Sequence, residues 1–170
     1  MYNKNPKISF VNGKALFCGY EFKFVQKLNL EQKDGKLLEY NTGDKYKKSK
    51  YLPRNKYGYK NFCKFKIRKD DEFKVPSVYL WVEDDEVIYI GETVNLLNRF
   101  NTGYGIISPR NCFVGGQTTN CHLNSFVLEE YEKDKTIDIY YLPTSLHKEI
   151  EKDLLNKVHT KLNKKNNVNN

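Results

Sequence analysis

Two glutamates near the carboxyl end of the chain differ in the chemistry they could perform. On a helix, Glu151 would share a face with apolar residues three, four, seven and eleven positions later, whereas Glu149 would align with polar residues. A carboxylate on a buried stripe costs on the order of several kcal/mol unless it has a partner, and a divalent cation is a natural one. The pattern favours Glu151 as a metal ligand; capping by a nearby lysine or by Arg99 is the alternative.

Two tyrosines, Tyr79 and Tyr89, lie in neighbouring β-prone segments that an acidic turn at residues 83–86 would join into a hairpin. A symmetric four-residue turn would place Tyr79 opposite Ile90 and send the two rings to opposite faces of the hairpin. The rings can share a face only if the loop has an odd number of residues or a strand contains a β-bulge. A shared tyrosine site therefore predicts a three- or five-residue loop, or a bulge.

The segment from residue 45 to residue 68 contains no aspartate or glutamate, and its ten cations are interleaved with six tyrosines and phenylalanines. Cations neutralise phosphates and aromatic faces stack on bases, so we favour nucleic-acid contact over a solvated basic face whose aromatics are simply core. The candidate DNA-contacting residues of this segment are Lys45, Lys47, Lys48, Lys50, Arg54, Lys56 and Lys60.

Composition narrows the range of partners. Lysine and arginine total 29 against 21 aspartates and glutamates, a formal net charge of +8, so the surface should attract a polyanion. The mean hydropathy is −0.74, and no segment approaches the roughly 20 apolar residues of a membrane span. No apolar segment follows Lys4 to make a signal peptide. We therefore expect a cytoplasmic protein that binds nucleic acid and no membrane.

The four cysteines are too few for a disulfide framework in a chain of 170 residues. We expect reduced, buried thiols. A zinc site recruiting Cys112, Cys121 and His122 is the less favoured interpretation, because the chain has no CxxC pair and a fourth ligand would have to come from far away.

The spacing of these residues resembles that of the GIY-YIG nucleases. The segments 77–79 and 89–91 stand where the family has its two half-motifs, although only the tyrosine of the first half is kept. Arg99, ten residues after Tyr89, matches the family's phosphate-binding arginine. Glu151 matches the metal-binding glutamate, and Asn163, twelve residues later, matches the closing asparagine.

The resemblance implies an α/β (α+β) fold with a small antiparallel three-stranded sheet flanked by helices. It covers residues 75–163, which would form the catalytic domain. A basic, β-rich, DNA-contacting region (residues 1–74) would precede this domain, and a flexible tail (164–170) would follow it. The resemblance implies no nucleotide cofactor.

The resemblance also implies a mechanism for phosphodiester hydrolysis. Tyr79 would be the general base, and Tyr89 would orient the water or tune Tyr79. Arg99 would hold the scissile phosphate, and Glu151 would bind one Mg²⁺ per active site to stabilise the leaving 3′ oxygen. A phenol with a pKa of about 10 can act as a base at neutral pH only if a cation or a hydrogen bond stabilises the phenolate.

Several positions depart from the family pattern. Glu92 stands where many members have lysine, and Gly103 stands where a histidine or tyrosine is usual. Tyr104 lies one residue late, so we assign it only a supporting role, as we do Asn163. An insertion between Arg99 and Glu151 carries Arg110, Gln117 and Asn120, which could read base edges, although a structural loop is an equally open interpretation. No role is assigned to a histidine.

Periodicity and turn residues predict the order of the elements along the chain. We expect strands at 8–11 and 21–25 with turns at Asn12-Gly13 and Gly19, strands at 78–82 and 87–90, a helix from about Thr93 to Gly103, a long irregular loop over 103–124, a helix start at 126–130, a strand at 137–142, and a last helix from 143–145 to about Leu162.

Together these features favour a site-specific double-strand DNA endonuclease, similar to the small type II restriction enzymes of this family and acting as a homodimer on a symmetric site. The alternatives are a repair or homing-type nuclease of the same family and a non-catalytic nucleic-acid-binding protein.

Overall fold

The structure, a computed structural model, describes residues 3–4, 6–47 and 50–164. Lys48 and residues 165–170 of the predicted tail lie outside the described residues. The chain forms two compact units: unit 1 comprises Met1–Lys27, Arg68–Leu96 and Thr136–Asn170, and unit 2 comprises Leu28–Ile67 and Leu97–Lys135. This division does not follow the predicted boundary at residue 74.

The architecture is mixed α/β. In chain order its elements are β1 (Asn3–Lys4), β2 (Ser9–Val11), β3 (Lys14–Phe17), β4 (Tyr20–Lys27), β5 (Gln32–Lys33), β6 (Lys36–Leu37), β7 (Ser77–Glu83), β8 (Glu86–Thr93), α1 (Leu96–Asn98), α2 (Thr118–Tyr131), β9 (Asp138–Pro143), α3 (His147–Lys157) and β10 (Val158–His159). Short 3₁₀ helices lie at Gly43–Lys45, Asp71–Phe73 and Pro109–Cys112, and a π-helix lies at Arg99–Tyr104.

Unit 1 contains a six-stranded antiparallel sheet in the order β2-β3-β4-β9-β7-β8. The antiparallel pairing agrees with the prediction, but the predicted number of three strands is wrong. Strands β7, β8 and β9 are the three expected ones. The N-terminal strands extend the same sheet because β4 pairs with β9, from Lys23 opposite Tyr141 to Lys27 opposite Asp138.

Tight turns connect the hairpins of this sheet. The predicted turns at Asn12-Gly13 and Gly19 are confirmed, with positive φ at Asn12, Gly13 and Gly19, and Cys18 before Gly19 also has positive φ. Asp84 and Asp85 also have positive φ, 50° and 64°, and alone connect β7 to β8. Two-residue turns with positive φ twist in the same sense as the strands they join, which makes them the favoured hairpin connection.

Helix α3 covers one face of the sheet. Its Leu154 packs with Val78 and Leu80 of β7 and with Ile90 of β8 in the main apolar core of unit 1. The helix ends at Lys157, so the predicted end near Leu162 is wrong. The backbone turns extended at Val158, and Val158 and His159 pair in parallel with β1.

The outer edge of β8 is covered by chain from both ends of unit 1. The Val87 N–H donates to the carbonyl of Pro6 over 2.7 Å, and the Ile8 N–H donates to that of Asp85 over 2.9 Å. The Leu162 N–H donates to the Ile88 carbonyl over 2.9 Å.

Unit 2 has its own core, made by Phe62, Ile107, Cys112, Phe113 and Cys121. The predicted irregular loop over 103–124 is wrong in its second half, because α2 begins at Thr118. This helix buries polar residues as well as apolar ones. Asn124 is fully buried, and its amide hydrogen-bonds the backbone of Cys63 and Tyr104. A helix buried on several sides lacks the apolar stripe that marks a helix in a sequence.

Within the described part of the chain, no helix has both the length and the apolar character needed to cross a membrane.

Candidate active site

A β-bulge sets the register of the hairpin that carries both tyrosines. Trp81 pairs with Tyr89 and Val82 pairs with Val87, which leaves Ile88 as an extra residue in β8. Without it, the two-residue turn would place Tyr79 opposite Ile90; with it, Tyr79 pairs with Gly91. The prediction of a bulge is therefore confirmed, while the connecting turn is shorter than the predicted loop.

The bulge brings the two tyrosine rings onto one face of the hairpin. Their centroids lie 6.3 Å apart, and the ring of Trp81 lies 6.0 Å from that of Tyr89 on the same face. Tyr79 is 1% exposed and Tyr89 is 9% exposed. Trp81 is thus a third aromatic member of this face that the sequence motif did not indicate.

Gly91 makes room for the phenol of Tyr79. A Cβ atom at this position would lie 2.5 Å from both Cζ and the hydroxyl oxygen of Tyr79. That distance is far inside van der Waals contact, so any side chain at residue 91 would displace the ring. Residue 91 therefore has to be glycine for a steric reason, because only the lack of a side chain lets the Tyr79 phenol lie across the edge strand β8.

The opposite face of the same hairpin carries acidic chemistry. Glu92 pairs with Val78 in the sheet, so its side chain points to the face that α3 covers. There one oxygen of its carboxylate lies 2.5 Å from Nδ1 of His147, the first residue of α3. Sequence reasoning missed this pair. The signal for it was the spacing of His147, four residues before Glu151 and therefore on the same helix face.

Glu151 lies on the half-buried face of α3, whereas Glu149 is exposed, so the predicted difference between the two glutamates is confirmed. Burial, and secondarily the charge of Glu92, raise the pKa of Glu151 to about 7, while His147 acts in the opposite direction. Glu151 makes no hydrogen bond or ion pair with any other residue that the structure describes. The sequence alternative of a capping cation is therefore not seen within these residues.

The tyrosines and Glu151 consequently approach from opposite faces of the hairpin. The phenol of Tyr79 lies over Gly91 on one face, and the neighbouring residue Glu92 points towards His147 on the other. Gly91 and Glu92, which are adjacent in the edge strand β8, each contact one of these two groups of side chains.

Asn163 ties the end of unit 1 to the second half-motif. Its amide nitrogen donates to the Ile90 carbonyl over 2.8 Å, and its amide oxygen accepts from the Ile90 N–H over 2.8 Å. Thr160 donates to the same oxygen over 2.5 Å. The side chain thus continues the backbone pairing of β8, which gives a structural basis for its predicted supporting role.

Arg99 and Tyr104 belong to unit 2, where a π-helix brings them together. The Gly105 N–H donates to the Phe100 carbonyl over 2.7 Å, five residues back, and the Arg99 guanidinium lies 4.1 Å from the centroid of the Tyr104 ring. A π-turn absorbs one additional residue in a helix. Tyr104, five residues after Arg99, therefore faces it within the π-helix.

The predicted DNA-contacting lysines of unit 2 are exposed where the structure describes them, namely Lys45, Lys47, Lys50, Lys56 and Lys60. Lys60 forms a surface ion pair with Glu129 over 2.9 Å. Gln117 is exposed as well, and its side-chain oxygen accepts from Asn120 over 2.7 Å.

Three other residues that were predicted to contact DNA form hydrogen bonds within the protein instead. The Arg54 side chain is 13% exposed, pairs with Asp44 and donates to the Gly58 carbonyl over 3.1 Å. Arg110 donates to the Val114 carbonyl over 2.8 Å. Asn120 is 1% exposed, so its amide is not available to a base edge, and this prediction is corrected.

The four cysteines are free thiols, and Cys63, Cys112 and Cys121 are buried, as expected. Burial raises the pKa of the Cys63 thiol to about 12. Among the described residues, no group of three or more His, Cys, Asp and Glu side chains is arranged to hold a metal ion. The favoured interpretation of Cys112 and Cys121 as core residues fits their place in the unit 2 core.

Comparison with known proteins gives no relative: no family model, no curated protein and no solved structure matches this chain.

The contact between Gly91 and Tyr79 yields a first prediction. Gly91→Ala should destabilise the fold by about 1–3 kcal/mol, because the ring of Tyr79 must leave its place. In a Tyr79→Leu background, which lacks the colliding atoms, the same change should cost clearly less. Urea unfolding of the four proteins measures this coupling. An equal cost in both backgrounds would show that the phenol is not what Gly91 accommodates.

The hydrogen bonds between the Asn163 side chain and the Ile90 backbone yield a second prediction. Asn163→Leu should lower the free energy of unfolding by about 2 kcal/mol or more, because the Ile90 N–H and carbonyl lose their partners in a buried position. Asn156→Leu, on the exposed side of α3, is the control and should change the urea midpoint little.

The raised pKa of Glu151 yields a third prediction. A carboxyl whose pKa is higher in the folded than in the unfolded chain stabilises the fold at low pH, and that stability is lost as pH rises through about 7. In metal-free buffer, the Tm of Glu151→Gln relative to that of the wild type should therefore rise by about 2–4 °C between pH 5 and pH 8. Glu149→Gln is the exposed control. A difference that stays constant with pH would contradict the burial of this carboxyl.

Proposed function

We propose that this protein is a metal-dependent DNA endonuclease of the GIY-YIG type. The observation that carries the proposal is the carboxylate of Glu151: it is half-buried, lies near the carboxylate of Glu92, and has no hydrogen-bonding or ionic partner among the described residues. Each carboxylate disfavours the charged form of the other, and the imidazole of His147 bonds Glu92 and not Glu151. A divalent cation would relieve that cost, and carboxylate oxygens suit it.

Glu151 is the residue that would hold the cation, in line with Mg²⁺ as the expected cofactor at one ion per active site. When bound, such an ion supplies positive charge for the leaving 3′ oxygen of a phosphodiester. The protein supplies the position of its ligand: the apolar contacts of Leu154 fix α3 against β7 and β8. The carboxylate is therefore presented without rearrangement of the helix.

The tyrosine pair is proposed to handle the attacking water. Tyr79 is the general base, and Tyr89, whose ring lies 6.3 Å away, orients the water or tunes the Tyr79 phenol. Because Gly91 has no side chain, the Tyr79 hydroxyl reaches the edge strand next to Glu92. A phosphodiester placed at Gly91 and Glu92, beyond the stretch of β8 that Pro6, Leu162 and Asn163 cover, could meet the phenol from one face of the hairpin and the Glu151 site from the other.

Arg99 is proposed to bind the scissile phosphate, and Tyr104 to support it. The ring of Tyr104 is fully buried and lies against the guanidinium, an arrangement that restricts the arginine side chain. A guanidinium is a suitable donor group for phosphate oxygens. This is the supporting role that the usual histidine or tyrosine of the family would have.

Double-stranded DNA is the proposed substrate. The segment 45–60 contains no acidic residue, so its exposed lysines supply positive charge, although Lys60 forms an ion pair with Glu129. Such a surface binds phosphates whatever the base sequence, so recognition of a particular site needs further contacts. We propose type II restriction activity, with a homodimer on a symmetric site.

Incubation of plasmid DNA with Mg²⁺, compared with EDTA, tests the proposal. Discrete fragments support a restriction enzyme, and random nicking supports a repair-type nuclease. DNA binding without any cutting, in Mg²⁺ or in Mn²⁺, would indicate a non-catalytic binding protein and refute the proposed activity.

In the same assay Glu151→Gln should abolish cleavage and leave DNA binding intact, whereas Glu149→Gln should retain near wild-type cleavage. Tyr79→Phe should slow cleavage by about 10²–10⁴-fold, the usual contribution of a general base. If Glu149→Gln and Glu151→Gln lose cleavage activity equally, the position of Glu151 on the half-buried face of α3 does not explain its role.

A further inference from the structure

His147 is the residue beside Glu151 that the proposed mechanism leaves unused. It begins α3 and lies one helical turn before Glu151. Side chains four residues apart on a helix are neighbours, and the imidazole charge acts on Glu151. The two side chains are therefore placed to reach a common atom between them.

The hydrogen bond to Glu92 determines which nitrogen of His147 is available. Glu92 lies 2.5 Å from Nδ1, and a carboxylate can only accept, so Nδ1 carries the proton. In the neutral ring the lone pair is then on Nε2. Nε2 makes no hydrogen bond with a residue in the described ranges, and 10% of the side chain stays exposed.

Histidines that bind a metal through one ring nitrogen commonly donate the other N–H to a carboxylate. The carboxylate fixes the tautomer and the orientation of the ring and makes the free nitrogen a better donor. Glu92 has this position relative to His147, and Glu151 supplies an unpartnered oxygen donor on the same helix face.

We propose that Nε2 of His147 and the carboxylate of Glu151 bind one divalent cation together, and that Glu92 holds the imidazole in place without touching the ion. The inference rests on the metal role of Glu151 in the proposed function. It agrees with the lack, among described residues, of a group of three or more metal-binding side chains, because only two residues are ligands. The remaining positions of the ion are left for water and phosphate oxygens.

This ligand pair selects the class of metal. Mg²⁺ takes oxygen ligands almost exclusively, whereas imidazole suits first-row transition metals. A site with one nitrogen and one carboxylate should therefore bind Mn²⁺ more tightly than Mg²⁺. It also assigns a purpose to Glu92, at the position where many GIY-YIG nucleases have lysine: a glutamate can accept a hydrogen bond from Nδ1 of His147 and so orient the ring, which a lysine cannot do.

Calorimetric titration of the full chain with Mn²⁺ and with Mg²⁺ tests the proposal. The wild type should bind Mn²⁺ at least about tenfold more tightly, and His147→Gln should remove that preference while leaving the Mg²⁺ Kd within about threefold. His159→Gln, the same change elsewhere in unit 1, should behave as the wild type. Glu151→Gln should abolish binding of both ions.

Two variants of Glu92 separate orientation from coordination. Glu92→Ala should weaken Mn²⁺ binding by about 10–100-fold, whereas Glu92→Gln, whose amide oxygen still accepts from Nδ1, should stay within about fivefold. If both variants weaken Mg²⁺ and Mn²⁺ alike, Glu92 is a direct ligand and the proposed arrangement is wrong.

Pulsed electron paramagnetic resonance on wild-type protein loaded with Mn²⁺ gives a readout that needs no variant. A directly coordinated ¹⁴N should modulate the Mn²⁺ signal; its absence overturns the proposal. Nitrogen coordination without plasmid cleavage would support the metal site of His147 and Glu151 and refute the proposed nuclease activity. If plasmid cleavage needs Glu151 but the Mn²⁺ spectrum shows no nitrogen coordination, the proposed nuclease activity would stand and His147 would not be a metal ligand.

Discussion

Strand β8 contains one residue more than the part of β7 with which it pairs, and the position of that residue governs which side chains of the hairpin can act together. Successive residues of a strand point to opposite faces, so a shift of one position exchanges the two faces completely. With Ile88 accommodated as a bulge, Tyr79, Trp81, Tyr89 and Gly91 share one face. The other face keeps Val78, Leu80 and Ile90 for the core under α3. The same residue thus satisfies the core and assembles the aromatic group.

The hairpin also separates two kinds of chemistry. Two phenols lie on one face, and the ionisable groups Glu92, His147 and Glu151 lie on the other. If the acidic groups shared the aromatic face, their negative charge would oppose formation of a phenolate. Placing them across the strand reduces that conflict, and Gly91 leaves only backbone between the two sides.

The parts of the structure that sequence predicts well are those with a local physical signature. The bulge follows from asking how Tyr79 and Tyr89 could share a face, and the different exposure of Glu149 and Glu151 follows from helix phase. The extension of the sheet by β2, β3 and β4 could not be predicted, because strand partners far apart in sequence leave no local pattern. Helix α2 begins at Thr118 and not at the predicted residue 126, and the reason is that its buried Asn120 and Asn124 look like loop residues, although the Asn124 amide is hydrogen-bonded. His147 was missed because its partner, Glu92, is brought to it only by the packing of α3 on the sheet.

The covered edge of β8 limits how two copies of this chain could assemble. Many dimers form by joining edge strands into one continuous sheet, which requires free backbone N–H and carbonyl groups along the edge. Here the backbone of Val87, Ile88 and Ile90 is already bonded to Pro6, Leu162 and the Asn163 side chain. A second copy of the chain therefore cannot extend the sheet by adding a strand along this stretch of β8.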